Sequence, residues 1–173
     1  MNITRSKNDS RLRPPSGETV ILFSVGAAKF AIAASAVEEI RDLTGLQKLA
    51  LEAAQKKLAK VQQTIVRQGK TYFVVDACEH FQLSLSRPSR LLVMRHAAAA
   101  VMVDAIDSMI ELHSMQALPR AFSGEERNWY RGLALVKGKV IPIVRPEAFL
   151  SRSEVALIEA LLREAAGRVA VRA

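Results

Sequence analysis

The side chains best suited to catalysis or metal binding are scattered along this sequence. The three histidines, His80, His96 and His113, lie in different segments, and none has a second histidine, cysteine or carboxylate at metal-ligand spacing. Cys78 precedes Glu79 and His80, but adjacent residues in an extended chain point to opposite faces and do not pair as nucleophile and base. We therefore expect no metal site and a structural role for Cys78.

The acidic residues in apolar surroundings do not suggest a hydrolase. Asp76, Asp104 and Asp107 each follow or end a predicted strand, where a carboxylate commonly caps a turn. No nucleophile elbow, P-loop or glycine-rich dinucleotide fingerprint is present in the sequence. The sequence predicts no catalytic residues and no cofactor, and favours a protein that works by binding rather than an enzyme.

The composition restricts the classes of protein to which this chain can belong. The chain has 173 residues, 50% of them hydrophobic, which is enough to bury a core in one domain or two small ones. The longest apolar stretch, residues 97–103, is far shorter than the ~20 residues that span a bilayer. The first nine residues lack the apolar run of a secretory signal, and one cysteine cannot form an intrachain disulfide. We expect a cytoplasmic protein without direct membrane insertion.

The chain is basic, with a formal net charge of +8. The excess is spread over a polar leader, a predicted helix with Lys56, Lys57 and Lys60, and the second half of the sequence. Only two tyrosines and one tryptophan are available to stack on bases. A basic β-barrel that binds nucleic acid is therefore an alternative hypothesis, and a solvated basic surface is favoured.

The most informative pattern is an internal repeat. Residues 69–76 (GKTYFVVD) return as residues 138–145 (GKVIPIVR), and residues 26–32 (GAAKFAI) return as residues 97–103 (AAAAVMV). Each stretch reads as part of a β-hairpin, with short apolar runs around a small-residue or Gly-Lys break. The repeated unit of roughly 70 residues predicts a pseudo-symmetric β protein. Gly69, Gly132 and Gly138 are expected to serve turn geometry.

Patterning along the chain predicts the following organisation. The segments are a flexible leader (1–17), a first β module (18–83) with a helical insert at about 46–63, a Ser/Pro linker (84–89), a second β module (90–150) and a C-terminal helix (151–168). The insert rests on Leu46, Leu49 and Ala53 at helical spacing. Ser151 and Glu154 fit a capping box at the start of the last helix. Pro142, inside a strand pattern, predicts an edge position or a bulge.

The order of several short motifs resembles the CheW-like coupling proteins of bacterial chemosensory systems. The resemblance covers residues 18–162. It is carried by the sequences FSVG and FAI of the first hairpin, VEEI at residues 37–40, GKTYFVVD at 69–76, VMVD at 101–104, YRGLA at 130–134, and FL at 149–150 before the last helix. The resemblance implies two SH3-like five-stranded β-barrel subdomains, in agreement with the repeat.

The same resemblance implies a non-enzymatic adaptor that joins a chemoreceptor's cytoplasmic tip to the regulatory domain of a CheA-type histidine kinase. The receptor-binding residues carried over by motif position are Val37, Glu39, Arg67, Gln68, Met102 and Val103, although a plain core role is favoured for Met102 and Val103. The family arginine before the hairpin glycine aligns with Gln68, while Arg67 lies one place early. An alternative is a divergent scaffold of another chemosensory array, such as one controlling pili, with the 46–63 helix as its partner surface.

Overall fold

The computed structural model describes residues 11–12, 17–49 and 58–171, and β-strands are their predominant regular structure, which confirms the mainly β class. The strands are β1 (Arg11–Leu12), β2 (Glu18–Val25), β3 (Ala28–Ala33), β4 (Val37–Arg41), β5 (Gln47–Lys48), β6 (Val61–Arg67), β7 (Lys70–Asp76), β8 (Arg90–Met94), β9 (Ala99–Val103), β10 (Ala105–Leu112), β11 (Met115–Gln116), β12 (Tyr130–Val136) and β13 (Lys139–Val144). The helices are α1 (Ala77–His80), α2 (Glu126–Trp129), α3 (Pro146–Phe149) and α4 (Arg152–Val171).

The strands form two sheets. Sheet 1 has the order β1-β11-β12-β13-β3-β2-β10, and sheet 2 has the order β4-β8-β9-β7-β6-β5. Among the residues that the structure describes, the first and last strands of each order do not pair, so neither sheet is a closed barrel. The prediction of two closed five-stranded barrels is therefore not met at the level of backbone pairing.

The two sheets follow one plan. The hairpin β2–β3 of sheet 1 corresponds to β8–β9 of sheet 2, and the hairpin β12–β13 corresponds to β6–β7. In each sheet the two hairpins meet through a parallel contact, β3 with β13 and β7 with β9. Each sheet also has an edge strand whose pairing shifts in register, β10 in sheet 1 and β4 in sheet 2. The repeat seen in the sequence is thus a repeat of topology.

The sheets do not follow the predicted division of the chain at residues 84–89. Sheet 1 combines β2 and β3 with strands that lie beyond residue 104, whereas sheet 2 combines β8 and β9 with strands that precede residue 77. Each repeat therefore gives its first hairpin to the other sheet. Local sequence patterns define hairpins but not the sheet that a hairpin joins, which is why the pattern suggested two consecutive modules.

The buried side chains fall into three clusters. The largest, the intersheet core, takes residues from both sheets, including Phe23 of β2 and Phe73 of β7. A second cluster lies on the other face of sheet 1 and includes Leu22, and a third lies on the other face of sheet 2 and includes Ile65. Because Leu22 and Phe23 face different clusters, β2 is buried on both faces, which accounts for the apolar run at residues 20–23 in its middle.

Three predicted segments differ from the structure. Where a helix was expected over 46–63, Gln47–Lys48 form β5 and β6 begins at Val61, since Gln47 and Lys48 pair with Thr64 and Gln63 in sheet 2; residues 50–57 lie outside the described residues. In the leader, Arg11–Leu12 form β1 against β11, and the remainder of residues 1–16 lies outside the described residues. Helix α4 passes through Gly167, its expected end, to Val171.

The structure tests two local predictions, the capping box of α4 and the position of Pro142. Ser151 accepts a hydrogen bond from the Glu154 backbone N–H (3.1 Å) and donates its own N–H to the Glu154 carboxylate (2.7 Å), so the capping box is confirmed. Pro142 lies in β13, which is inside the sheet order. However, β13 pairs with β3 in register only at Ile143, one residue later, so the proline removes no ladder bond to β3.

Candidate docking surface

Two of the sequence-predicted receptor residues are in direct contact. Arg67, at the end of β6, donates from Nε to Glu39 Oε2 (3.1 Å) and from Nη2 to Glu39 Oε1 (3.0 Å). The side chains of Arg67 and Glu39 are 38% and 37% exposed, so the paired charges remain accessible to a partner. A fork-to-fork arrangement of this kind fixes both side chains in orientation.

The hairpin turn decides which residue faces Glu39. Gln68 and Gly69 form the two-residue loop between β6 and β7, and both have positive φ (49° and 74°). Such a loop matches the twist of the strands and leaves Gln68 exposed at the tip. Arg67 is therefore the last strand residue, and its side chain reaches Glu39. Lys137 and Gly138 repeat this turn in sheet 1, with φ of 48° and 76°.

The other carried-over residues lie in hydrophobic clusters. Val37 (6% exposed) and Val103 (0%) belong to the intersheet core. Met102 is partly buried against the cluster within sheet 2. These three residues shape the protein beneath the surface, whereas Glu39, Arg67 and Gln68 are accessible to a partner. We call these last three residues the β4–β6 surface.

Sequence patterns missed four neighbours of this surface. Glu38 accepts a hydrogen bond from the Tyr72 hydroxyl (3.4 Å), and Lys70 lies over the Tyr72 ring with its Nζ 4.7 Å from the ring centre. Ile40 follows Glu39 and is 40% exposed, although it is a large apolar residue. Glu38 is exposed, so its place beside Glu39 gave no signal of the contact with Tyr72.

Gly132 was expected in a turn, but it instead allows β12 to pack closely against β11. It lies within β12, and a Cβ there would come 2.7 Å from the Gln116 carbonyl oxygen and 2.7 Å from Met115 Cγ. Gly69 and Gly138 are turn residues as predicted, with open space around them.

The cysteine and the histidine beside it are not an activated pair. Burial, followed by the nearby Asp76 charge, raises the pKa of the Cys78 thiol, which donates to the Leu83 carbonyl oxygen (3.2 Å). Burial and the Lys60 charge lower the pKa of His80 to about 4, so the ring is neutral at pH 7. The His80 ring packs against Trp129 and its Nε2 has no hydrogen-bond partner in the described chain.

Asp104 has a structural role that its position after a strand predicts. Its carboxylate accepts hydrogen bonds from the Gly26 backbone N–H (2.8 Å) and the Ser86 hydroxyl (2.5 Å). Burial opposes ionisation of Asp104, but the bonds from Ser86, the Arg87 backbone and Gly26 outweigh it and hold its pKa below the ordinary value. Asp104 therefore joins the β2–β3 turn to residues 84–89.

The described ranges contain no group of three or more histidine, cysteine, aspartate or glutamate side chains placed to hold a metal ion. Within the same ranges, none of the helices has the length and apolarity needed to cross a membrane.

Comparison with known proteins identifies the family. The model of the CheW-like domain matches residues 19–154, which is most of the chain. The chain belongs to the CheW-like domain family. Its fold is similar to that of the scaffolding protein TtCheW from Thermoanaerobacter tengcongensis, with a TM-score of 0.65 and 18% sequence identity over 75% of this chain and 89% of that chain. No curated protein matches the chain in sequence.

Proposed function

We propose that this CheW-like protein is a non-enzymatic chemosensory adaptor in the cytoplasm, which couples chemoreceptors to a CheA-type histidine kinase. Family membership supports the adaptor class, and the two sheets would correspond to the two SH3-like subdomains that the resemblance implied. The observation that carries the receptor assignment is the contact between Glu39 and Arg67, because it joins on one accessible surface two residues that the resemblance singled out from separate motifs.

The proposed mechanism is geometric. A receptor tip is a helical hairpin, and helix docking requires an apolar anchor within a polar rim. Exposed Ile40 supplies an apolar side chain next to Glu39, while Arg67 and Gln68 supply hydrogen-bond donors at the hairpin tip. Val37 and Val103 support this surface from the core, and Met102 supports it from the cluster inside sheet 2.

The alternatives have less support from the described residues. The helix over 46–63, which was the proposed partner surface of a pilus-type array, is replaced by strand at both ends. Of the lysines proposed to bind nucleic acid, Lys56 and Lys57 lie outside the described residues. The Lys60 ammonium is paired with Glu154 (2.9 Å) and is only 13% exposed, so it is not free to contact phosphate.

The test is binding of the full chain to a receptor-tip fragment and to the kinase regulatory domain from the same organism. The variants Arg67→Glu and Gln68→Ala should weaken receptor binding and leave kinase binding unchanged. Arg168→Glu, an exposed charge reversal on α4, is the matched control and should leave both affinities unchanged. Full receptor affinity in Arg67→Glu would reject the β4–β6 surface, and absence of binding to both partners would reject the adaptor.

A further inference from the structure

The first half of the chain, up to residue 81, and the second half, from residue 86, complete each other's sheets. The strand pairs that join the halves are β1–β11, β13–β3 and β2–β10 in sheet 1, and β4–β8 and β7–β9 in sheet 2. Pairs within one half, such as β2–β3 and β12–β13, join consecutive strands. Each half therefore has strand edges that only the other half covers, and an uncovered edge is a template for pairing with another chain.

The intersheet core has the same dependence on both halves. Phe23 and Phe73 enter it from the first half, and Val101 and Phe149 enter it from the second. These apolar side chains must be removed from water in any folded form. A second copy of the chain carries the same faces and the same strand edges, so its half fits in place of the chain's own half without any new contact.

The segment between the halves is attached to the second half from Ser86 onward. The Ser86 hydroxyl donates to the Asp104 carboxylate (2.5 Å), and the Ser89 backbone N–H donates to the Val103 carbonyl oxygen (3.0 Å). The chain reverses direction before this attachment, at residues 82–85, which have no regular secondary structure beyond a turn. This bend alone determines whether the two halves of one chain meet each other.

The bend is strained in the closed chain. Gln82 has a φ of 55°, a left-handed conformation that is unfavourable for a residue with a Cβ. The Leu83 backbone N–H closes the bend by donating to the Cys78 carbonyl oxygen (2.9 Å). Straightening the bend gives up this hydrogen bond and relieves the strain at Gln82. Short connections under strain favour exchange of segments between copies of a protein.

We propose that this chain forms a domain-swapped dimer, in which the first half of each copy completes the sheets of the second half of the other and residues 82–85 are the hinge. The described strand pairs are all kept, but those that join the halves now join two chains. A short linker holds the halves of one chain at an effective concentration in the mM range, so the dimer forms when folding occurs at a comparable protein concentration. Glu39, Arg67 and Gln68 all lie in the first half, so dimerisation leaves the β4–β6 surface intact.

Disulfide trapping in the full chain distinguishes a swapped dimer from a dimer of closed chains. Thr19 of β2 and Glu111 of β10 are exposed and directly opposite each other, so Thr19→Cys with Glu111→Cys, in a Cys78→Ser background, places two thiols within disulfide reach across the halves. After refolding at about 1 mM, oxidation should give a covalent dimer on a denaturing gel, and after refolding at about 1 µM a single chain. Val66→Cys with Thr71→Cys, opposite each other within the β6–β7 hairpin, is the matched control and should give a single chain at both concentrations.

A glycine substitution tests the hinge. Gln82→Gly relieves the strain of the closed chain and should weaken dimerisation about tenfold in analytical ultracentrifugation. Lys137→Gly is the matched control, because Lys137 has a similar φ of 48° in the β12–β13 turn, which is the same in the monomer and the swapped dimer. It should leave dimerisation unchanged.

Three outcomes would overturn the swapped dimer. The first is a chain that remains monomeric after refolding at about 1 mM. The second is a dimer whose disulfide between positions 19 and 111 stays within one chain, because its copies then associate through their outer surfaces. The third is equal dimerisation in Gln82→Gly and Lys137→Gly, because residues 82–85 are then not the hinge.

Discussion

Arg67 of β6 and Glu39 of β4 are joined by two hydrogen bonds although β8, β9 and β7 lie between their strands in sheet 2. Such a contact is possible only if the sheet curls until its edge strand approaches the fifth strand. Sheet 1 shows the same curvature, because Arg131 of β12 forms a bidentate pair with Glu18 of β2 across β13 and β3. Side chains thus link strands that the backbone does not pair.

Exchanging the charges of the Glu39–Arg67 pair separates its role in stability from its role in binding. Because both side chains are more than a third exposed, Glu39→Arg or Arg67→Glu alone should lower the free energy of unfolding by less than about 1 kcal/mol. The double variant should recover this stability and still bind the receptor fragment poorly. Urea denaturation and fragment titration measure the two effects, and recovered binding in the double variant would show a purely structural pair.

The Glu18–Arg131 pair should contribute more to stability. Glu18 is 13% exposed, and the hydrogen bond to Glu18 raises the pKa of Arg131 further above its ordinary value. Arg131→Met should therefore lower the free energy of unfolding by about 1–3 kcal/mol, because it leaves a mostly buried carboxylate without its cation. Urea denaturation at pH 7 checks this, and a cost no greater than that of Arg67→Met would contradict it.

Gly26 is required by both backbone conformation and space. Its φ is +58°, and a Cβ would lie 2.3 Å from the Leu85 carbonyl oxygen. Gly138 has a similar φ of +76° with nothing within 4 Å of an added Cβ, so it is the matched control. Gly138→Ala should cost about 1–2 kcal/mol for the left-handed conformation alone. Gly26→Ala should cost at least about twice as much, and equal costs in chemical denaturation would contradict the close approach.

Buried His80 makes stability depend on pH. The unfolded chain binds a proton near pH 6.5, whereas burial and the nearby Lys60 charge lower the folded pKa to about 4, despite the opposing charge of Glu154. Stability should therefore fall as pH drops from about 6.5 to about 4, by about 3 kcal/mol at roughly 1.4 kcal/mol per pKa unit. His80→Phe fits the surrounding Trp129 and Phe149 rings and should remove this component. An unchanged pH profile in His80→Phe would show that other groups cause it.

Sequence patterns predicted structure that depends on residues close together in the chain better than structure that depends on distant residues. The mainly β class, the β6–β7 and β12–β13 hairpins and the Ser151–Glu154 cap were all predictable, because each depends on residues close together in the chain. The helix over 46–63 was wrong at both ends because Gln47 and Lys48 pair with β6, and pairing in a sheet overrides helical spacing.

The contacts of the candidate site were also beyond local sequence patterns. Family resemblance singled out Glu39 and Arg67, but strand alternation along β6 gives no information about β4, which is 28 residues away along the chain. Burial of apolar residues such as Val37 and Val103 was expected, but the cluster that each would join was beyond the sequence, because the intersheet core requires knowledge of which faces meet. The exchange of the first hairpins between sheets was missed for the same reason.

That exchange predicts that the two halves of the chain fold only together. A cut within residues 84–89 leaves β2 and β3 on one fragment and β12 and β13, their sheet partners, on the other. It likewise separates β8 and β9 from β6 and β7, so each fragment alone exposes apolar residues of the intersheet core, such as Phe23 or Val101. Each fragment should therefore lack cooperative unfolding, and an equimolar mixture should recover the circular dichroism and melting transition of the intact chain. Fragments that melt cooperatively on their own would show that consecutive modules, rather than exchanged hairpins, are the folding units.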